Sequence, residues 1–410
     1  MTRLRLTRAR VVALAAVAVA VAAGVPAALA LLEDEEPPQH RGHATTAVSA
    51  HPVAGHFKPD ETELADCESG DQRCLEQAFG NVAYDEGPEA AIERFDAAMQ
   101  ADSAVESNCH RIAHTIGSAS LARLDGNVSE AFARGTSTCW SGYYHGILER
   151  SFTGVPRDDV GDVARTICAD DGIERTTFIL YQCVHGLGHG LMIYSGYDLP
   201  WSLSTCDQLA TDWDQTSCTG GVFMENISST YDVRSDWLRD DDPVYPCQAV
   251  KERHKLYCYL MVTSRINELN GFDWARTAQT CRRVERGWVE TCFESYGRDA
   301  SGFTRQNPTE AARLCALARG YAASCVYGAA RDMTSNYANG ERASQLCRLV
   351  RPRVRAQCFN GVGTILGNLH AADKARRDAC AAVTPRRYLG SCVSGTGARV
   401  GGVVQSPSGS

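Results

Sequence analysis

The sequence predicts an all-α protein, built as a disulfide-stapled array of helical hairpins (an α-solenoid) with a period of about 33–40 residues. Two observations support this prediction: the even number of cysteines, eighteen, and their spacing. The cysteines from residue 168 onward fall into couples 10–15 residues apart, and the second cysteines stand at residues 183, 218, 258, 292, 325, 358 and 392. The last four steps are 34, 33, 33 and 34 residues. Self-similarity at this period is typical of stacked helix pairs.

One repeat shows how the couples fit a hairpin. Residues 308–315 begin with Pro308 and end at a cysteine, which predicts a first helix, and residues 321–333 predict a second helix with Cys325 near its start. A disulfide between the two would stabilise the hairpin by roughly 2–4 kcal/mol. Metal binding by the cysteines is the alternative, but the chain contains no Cys-x-x-Cys. The earlier, less regular couples are predicted as Cys67–Cys74 and Cys109–Cys139.

The N-terminus predicts export. Four arginines precede an apolar run of 22 residues from Val11 to Leu32, and Ala28-Leu29-Ala30 resembles a signal-peptidase site. We therefore expect residues 1–32 to be a signal peptide or, if uncleaved, a membrane anchor. In both cases the remaining chain is expected to be extracytoplasmic, either secreted or tethered to the membrane by residues 11–32. An extracytoplasmic compartment also supplies the oxidising conditions that disulfides need.

Composition divides the rest of the chain into four parts. Residues 33–60 are acidic and then rich in Pro, His, Ala and Gly, which predicts a disordered, histidine-containing linker, and residues 401–410 predict a disordered Gly/Ser tail. Between them we expect N-terminal acidic helical repeats at residues 61–246, with the histidine cluster, and C-terminal basic helical repeats at residues 247–400. Residues 33–246 carry 13 Lys and Arg against 37 Asp and Glu, whereas residues 247–410 carry 24 against 12. The acidic half should concentrate cations and the basic half should favour an anionic partner, unless both are simply solvated faces.

Three segments of the acidic half each begin with a cysteine and carry potential metal ligands. They are residues 109–114, 139–149 and 183–189, and in each of them two potential ligands stand four residues apart, on one face of a helix. Neutral imidazole is the commonest metal ligand, and a carboxylate often completes the shell. The predicted metal ligands are His110, His114, His145, Glu149, His185 and His189.

Alignment of the second helices on their cysteines separates the scaffold from this cluster. Glycine stands three residues after the cysteine in six repeats, which predicts close approach of neighbouring backbones or of a ligand. Six residues after the cysteine stand His145 and His189, but the repeats after Cys218 keep the glycines and lose the histidines. Each histidine taken alone would more simply be a hydrogen-bonded core residue. Histidines confined to consecutive repeats instead favour a metal site, because packing alone would place them throughout the array.

The expected function is therefore metal-dependent. The residue types suit a transition metal, namely zinc, copper or iron, either in one crowded centre or in a two-metal centre bridged by Glu149. We expect a metalloenzyme, hydrolytic or oxidative, acting on an extracytoplasmic substrate, with Glu149 or Glu225 as general base. The alternative is a non-catalytic scaffold or metal-carrying interaction module. Besides the metal ion, an anionic small molecule or a protein could occupy the groove; a membrane would be contacted only through the N-terminal segment, and no nucleic-acid partner is expected.

Overall fold

The array predicted from the cysteine spacing is present in the structure, a computed structural model that describes residues 55–136, 138–169, 173 and 177–397. The described residues are all-helical and contain no strand. They form nineteen α-helices: α1 Gln72–Asp85, α2 Pro88–Ala101, α3 Ser103–Ser107, α4 Cys109–Arg123, α5 Val128–Ala133, α6 Thr138–Ser151, α7 Val160–Ile167, α8 Thr177–Tyr194, α9 Leu199–Cys206, α10 Asp212–Ile227, α11 Glu252–Asn270, α12 Trp274–Cys281, α13 Val289–Phe303, α14 Pro308–Ala316, α15 Ala322–Tyr337, α16 Glu341–Leu349, α17 Arg355–Leu369, α18 Asp373–Val383 and α19 Leu389–Gly395. Among the described residues, no helix is long and apolar enough to span a bilayer.

Longer and shorter helices alternate along the C-terminal repeats, as the hairpin prediction requires. Asp273 begins α12 by accepting bonds from two backbone N–H groups of its first turn, and Asn307 does the same for α14 ahead of Pro308. These shorter helices lie outside. The inner row consists of helices that each pack on the next, in the order α1, α4, α6, α8, α10, α11, α13, α15, α17 and α19. The inner row curls, because α6 also contacts α15 and α8 also contacts α17.

Nine disulfides staple the array, and every cysteine of the chain is paired. The seven couples from Cys168 onward are linked as predicted, for example Cys315 to Cys325 across ten residues. The two earlier links, Cys67–Cys74 and Cys109–Cys139, are also formed. Residues 51–410 make up one compact unit that contains all nine links. Nine intrachain disulfides indicate an oxidising, extracytoplasmic environment.

The recurring glycines are explained by contacts between neighbouring inner helices. A Cβ atom added to Gly221 would lie 1.9 Å from the carbonyl oxygen of His185, and one added to Gly328 would lie 2.0 Å from that of Glu294. No side chain fits at such distances, so only glycine allows these helices to pack this closely. The predicted close approach of backbones is therefore confirmed.

The first described residues pack against the C-terminal end of α6. Phe57 is buried, and its carbonyl oxygen accepts a hydrogen bond from Arg150. The carbonyl oxygen of Gly55 accepts one from Thr153. The packed chain thus begins before residue 60, where the sequence places the end of the linker, because Phe57 supplies an apolar side chain to the core. Most of the predicted linker, the N-terminal segment 1–32 and the tail 401–410 lie outside the described residues.

Candidate metal centre

Three successive inner helices bring the five predicted histidine ligands together. Helix α4 carries His110 and His114, α6 carries His145, and α8 carries His185 and His189. The ring of His145 is central, since its centroid lies 4.3–5.5 Å from the centroids of the other four rings. Four of the rings are buried and that of His110 is half-buried. The sequence prediction that these three helices lie side by side is thus confirmed.

The potential ligand atoms form two overlapping triads. One consists of His110, His114 and His145, and the other of His145, His185 and His189. Within each triad the ligand atoms all lie within 4.8 Å of one another. Because His145 belongs to both triads, it is the residue that would be shared between two ions or would stand at the middle of a single crowded centre.

The two histidines of α4 are oriented by hydrogen bonds at their Nδ1 atoms. His110 Nδ1 lies 2.8 Å from the carbonyl oxygen of Cys139, and His114 Nδ1 lies 3.3 Å from Glu149 Oε2. A nitrogen that faces a carbonyl or carboxylate oxygen carries the proton, so the lone pair of each ring is on Nε2. The two Nε2 atoms lie 3.3 Å apart. This separation suits two nitrogen ligands of one ion better than two unprotonated rings facing each other.

The two histidines of α8 are held in a similar way. His189 Nδ1 lies 2.9 Å from Glu225 Oε2, and His185 Nδ1 lies 3.2 Å from the hydroxyl of Tyr181, one helical turn earlier. A metal-bound histidine usually donates its other N–H to a carboxylate or carbonyl, which fixes the ring and its tautomer. The pairs His114–Glu149 and His189–Glu225 have this arrangement.

Several imidazole nitrogens in the centre have no protein partner among the described residues. Both nitrogens of His145 and the Nε2 atom of His189 are buried without a hydrogen bond. A buried polar group left without a partner costs roughly 1–3 kcal/mol, so such groups are rare and call for an explanation. One metal ion could bind His189 Nε2 together with one nitrogen of His145, since the two nitrogens of His145 point to opposite sides of its ring, and the donor set fits zinc, copper or iron.

Four of the five histidines are neutral, as metal ligands must be. Burial, reinforced by the neighbouring histidines, lowers the pKa of His110 and of His114 to about 3. The same two causes hold the pKa of His145 and of His185 well below the usual range. Lone pairs are therefore available throughout the neutral pH range.

Glu149 lies beside His114 rather than between the two triads. Its carboxylate accepts hydrogen bonds from the Gly55 N–H at 2.7 Å and from the Tyr231 hydroxyl at 2.6 Å. Burial raises the pKa of Glu149 to about 7, against the lowering effect of those two bonds. This position makes Glu149 a hydrogen-bond partner of His114, a candidate ligand. Its prediction as a bridging ligand stays a prediction.

Glu225 is the more strongly bound carboxylate. It accepts hydrogen bonds from His189, from the Tyr197 hydroxyl at 2.8 Å and from both the N–H and the hydroxyl of Thr230. Burial alone would raise the pKa of Glu225, but the bonds from His189 and Thr230 outweigh it and lower that pKa to about 2. A carboxylate that is ionised and whose oxygens already accept several hydrogen bonds can orient His189, but it is a poor general base.

A cavity of about 730 Å³ opens beside the centre. His110 and the exposed Trp140 form one end, while Phe272, Arg298 and Asp299 belong to the C-terminal repeats on the other side. Of the five clustered histidines, only His110 lines the cavity. Arg298 and Asp299 form an ion pair at 2.5 Å, so the arginine is already neutralised.

Some partners of the centre could not be found from the sequence. Gly55 and Tyr231 come from segments remote in sequence, and both contact Glu149. Tyr197 bonds to Glu225 from the loop after α8, and Thr230 bonds to it from the loop that follows α10, five residues further along the chain. Only Tyr181 could be identified from the sequence, because it stands four residues before His185 and therefore lies on the same helix face.

Comparison with known protein families, with curated proteins and with solved structures finds no match to this chain.

Proposed function

We propose that this protein is an extracytoplasmic metalloprotein whose five-histidine centre binds zinc, copper or iron and acts on a substrate held in the adjoining cavity. The observation that carries the proposal is the set of buried imidazole nitrogens without partners, two on His145 and one on His189. Histidines packed for stability alone would have been hydrogen-bonded.

Charge balance supports a divalent ion. His110, His114, His145 and His185 contribute no charge, whereas Glu149 and Glu225 are buried carboxylates that contact the Nδ1 atoms of His114 and His189. Carboxylates that contact the ligand histidines, and not the ion itself, compensate the charge of the ion and raise the basicity of the imidazole rings. Calcium and magnesium are disfavoured because they prefer oxygen ligands.

The chemistry expected at the centre follows from these residues. A bound ion would supply a Lewis acid that activates water or, with copper or iron, a site for oxygen chemistry. Glu149 is the better general base of the two predicted carboxylates, because its pKa is raised to about 7. The half-buried His110 marks the side from which the cavity reaches the centre.

One observation favours a second candidate, a metal-carrying protein without catalysis. Four of the five rings are at most 3% exposed, so a substrate in the cavity would meet the centre only at His110. A carrier needs a secure site, whereas an enzyme needs an open coordination position beside its substrate.

Elemental analysis tests metal binding. The protein would be made in an oxidising compartment with His40, His43 and His51 replaced by Asn, so that the linker does not collect metal. We expect stoichiometric zinc, copper or iron, lost from a His145→Ala/His189→Ala variant and retained in a His370→Ala control. Native protein that is free of metal, folds normally and is unaffected by chelator would contradict the proposal.

Cobalt substitution separates the enzyme from the carrier. Azide added to the cobalt-loaded protein should shift the visible absorption bands if the ion has an open position. A spectrum that azide leaves unchanged, on a protein that holds stoichiometric metal, would favour the carrier.

A further inference from the structure

The turns that join outer to inner helices carry a recurring feature in the C-terminal repeats. Each turn lies between two disulfide-linked cysteines and contains a short 3₁₀ turn, at Arg286–Trp288, Arg319–Tyr321, Pro352–Val354 and Arg386–Tyr388. Equivalent positions of stacked repeats lie in a row, about 8–10 Å apart from one helix layer to the next. The four turns therefore form one continuous edge of the array.

This edge is rich in arginines that have no acidic partner. Nine exposed arginines lie in these turns, and among the described residues none of them forms an ion pair. We name this set the arginine ridge: Arg282, Arg283, Arg286, Arg319, Arg348, Arg351, Arg353, Arg386 and Arg387. The corresponding turn of the acidic half, between Cys206 and Cys218, carries Asp207, Asp212 and Asp214 instead. Part of the charge difference between the halves thus lies on this edge.

Two neighbouring turns of the ridge enclose a groove of about 350 Å³. Arg319 stands on one side of it and Arg351 and Arg353 on the other, while its walls are apolar, with Leu349 among them. Leu349 is 55% exposed, and Leu317, at the equivalent position of the preceding repeat, is 38% exposed. Leucines exposed beside unpaired arginines make an amphipathic surface.

We propose that the arginine ridge binds the surface of an anionic membrane, with lipid phosphates on the arginines and the start of an acyl chain against the apolar walls of the groove. Guanidinium groups bind phosphate oxygens through paired hydrogen bonds, and clustered cations are attracted to anionic headgroups. A soluble linear polyanion would engage the arginines but would leave Leu317 and Leu349 unused. This proposal does not rest on the metal centre.

Flotation with lipid vesicles tests the proposal on residues 51–410, the compact unit that contains all nine disulfides and lacks the apolar segment. We expect binding to phosphatidylcholine vesicles that contain phosphatidylglycerol and none to phosphatidylcholine alone. An Arg319→Glu/Arg351→Glu/Arg353→Glu variant should weaken binding by at least about tenfold. A matched triple charge reversal on outer helices away from the ridge should bind like the parent: Arg276→Glu/Arg342→Glu/Arg377→Glu.

A second variant and a competitor distinguish the lipid from other anions. Leu317→Ser/Leu349→Ser keeps every charge and should still weaken vesicle binding, because the apolar contacts are lost. Equal binding by the ridge variant and its control would overturn the proposal. So would a leucine variant that binds vesicles normally while inorganic polyphosphate displaces the protein from them, since the ligand would then be a soluble polyanion.

Discussion

Three inner helices of each half carry glycine three residues after the stapled cysteine, but the two halves carry different side chains six residues after it. Gly142 and Gly328 both lie against the carbonyl oxygen of the preceding inner helix. Further along, the acidic half presents His145 and His189, whereas the basic half presents Arg298 and Arg331. Backbone contact and disulfides therefore build the scaffold, and the inner-face residue can change without altering it.

Arg298 and His145 differ in how their polar groups are satisfied, although Arg331 Nε, like the nitrogens of His145, is buried without a hydrogen bond among the described residues. Arg298 in the basic half pairs with Asp299 and bonds to Ser264 at 2.8 Å. His145 in the acidic half has no protein partner for either nitrogen among the described residues. Partners within the protein indicate a structural role for Arg298, whereas the clustered buried nitrogens of His145 support the proposal of a bound ion.

The largest effect is expected from adding a methyl group at a glycine of either half. A Cβ at position 146 would lie 1.8 Å from the carbonyl oxygen of His114, and one at position 328 would lie 2.0 Å from that of Glu294. Gly146→Ala and Gly328→Ala should each destabilise the protein by about 3 kcal/mol or more, because backbone must move. Chemical denaturation under non-reducing conditions measures the loss of stability.

Gly302→Ala is the matched control, since nothing lies within 4 Å of its added Cβ in α13. It should stabilise the protein by about 0.5–1 kcal/mol, because alanine is the better helix former. Metal content also distinguishes the two destabilising variants. Only Gly146→Ala adjoins a histidine of the centre, so only this variant should lower the metal content. If Gly146→Ala and Gly328→Ala unfold like the parent, close backbone packing does not hold the array.

The sequence was sufficient for the scaffold because the scaffold depends on local, repeated signals. Cysteine spacing predicted the period and the hairpin links, including the link from Cys315 to Cys325. The clustering of histidines followed from the same register, since equivalent positions of stacked helices are neighbours. Residues such as Gly55 and Tyr231 could not be predicted, because their contacts with Glu149 depend on how irregular segments cross the inner helices. Periodicity contains no information about such crossings.

The second prediction concerns the carboxylate that orients His189. Glu225→Gln keeps the size of the side chain but removes its charge and places N–H groups against donors from Tyr197 and Thr230. We expect metal affinity to fall by about 10–100-fold, the usual cost of losing an outer partner of a ligand histidine. Competition with a metal-binding dye measures the affinity.

Glu285→Gln is the control from the basic half. Glu285 is also hydrogen-bonded, to Lys255 and Tyr259, but it contacts none of the five histidines. Its substitution should leave metal affinity unchanged. Equal affinities for the Glu225 and Glu285 variants would show that Glu225 plays no part in metal binding and would weaken the contrast between the halves.

The smallest effect expected is a pH dependence of stability that arises in the basic half. Burial raises the pKa of Glu294 to about 7, against the lowering effect of Arg331, so the folded protein holds this proton more tightly than the unfolded chain does. Stability contributed by the protonated form is therefore lost as the pH rises from about 4.5 to about 7 and stays lost above that range. Glu294→Gln cannot ionise, so it should exceed the parent in stability above pH of about 7 and match it near pH 4.5. Denaturation midpoints across this range measure the difference, with the exposed Glu341→Gln as control. If the stability difference between Glu294→Gln and the parent is instead the same at every pH, burial does not raise the pKa of Glu294. The carboxylate would then ionise beside Arg331 as easily in the folded protein as in the unfolded chain.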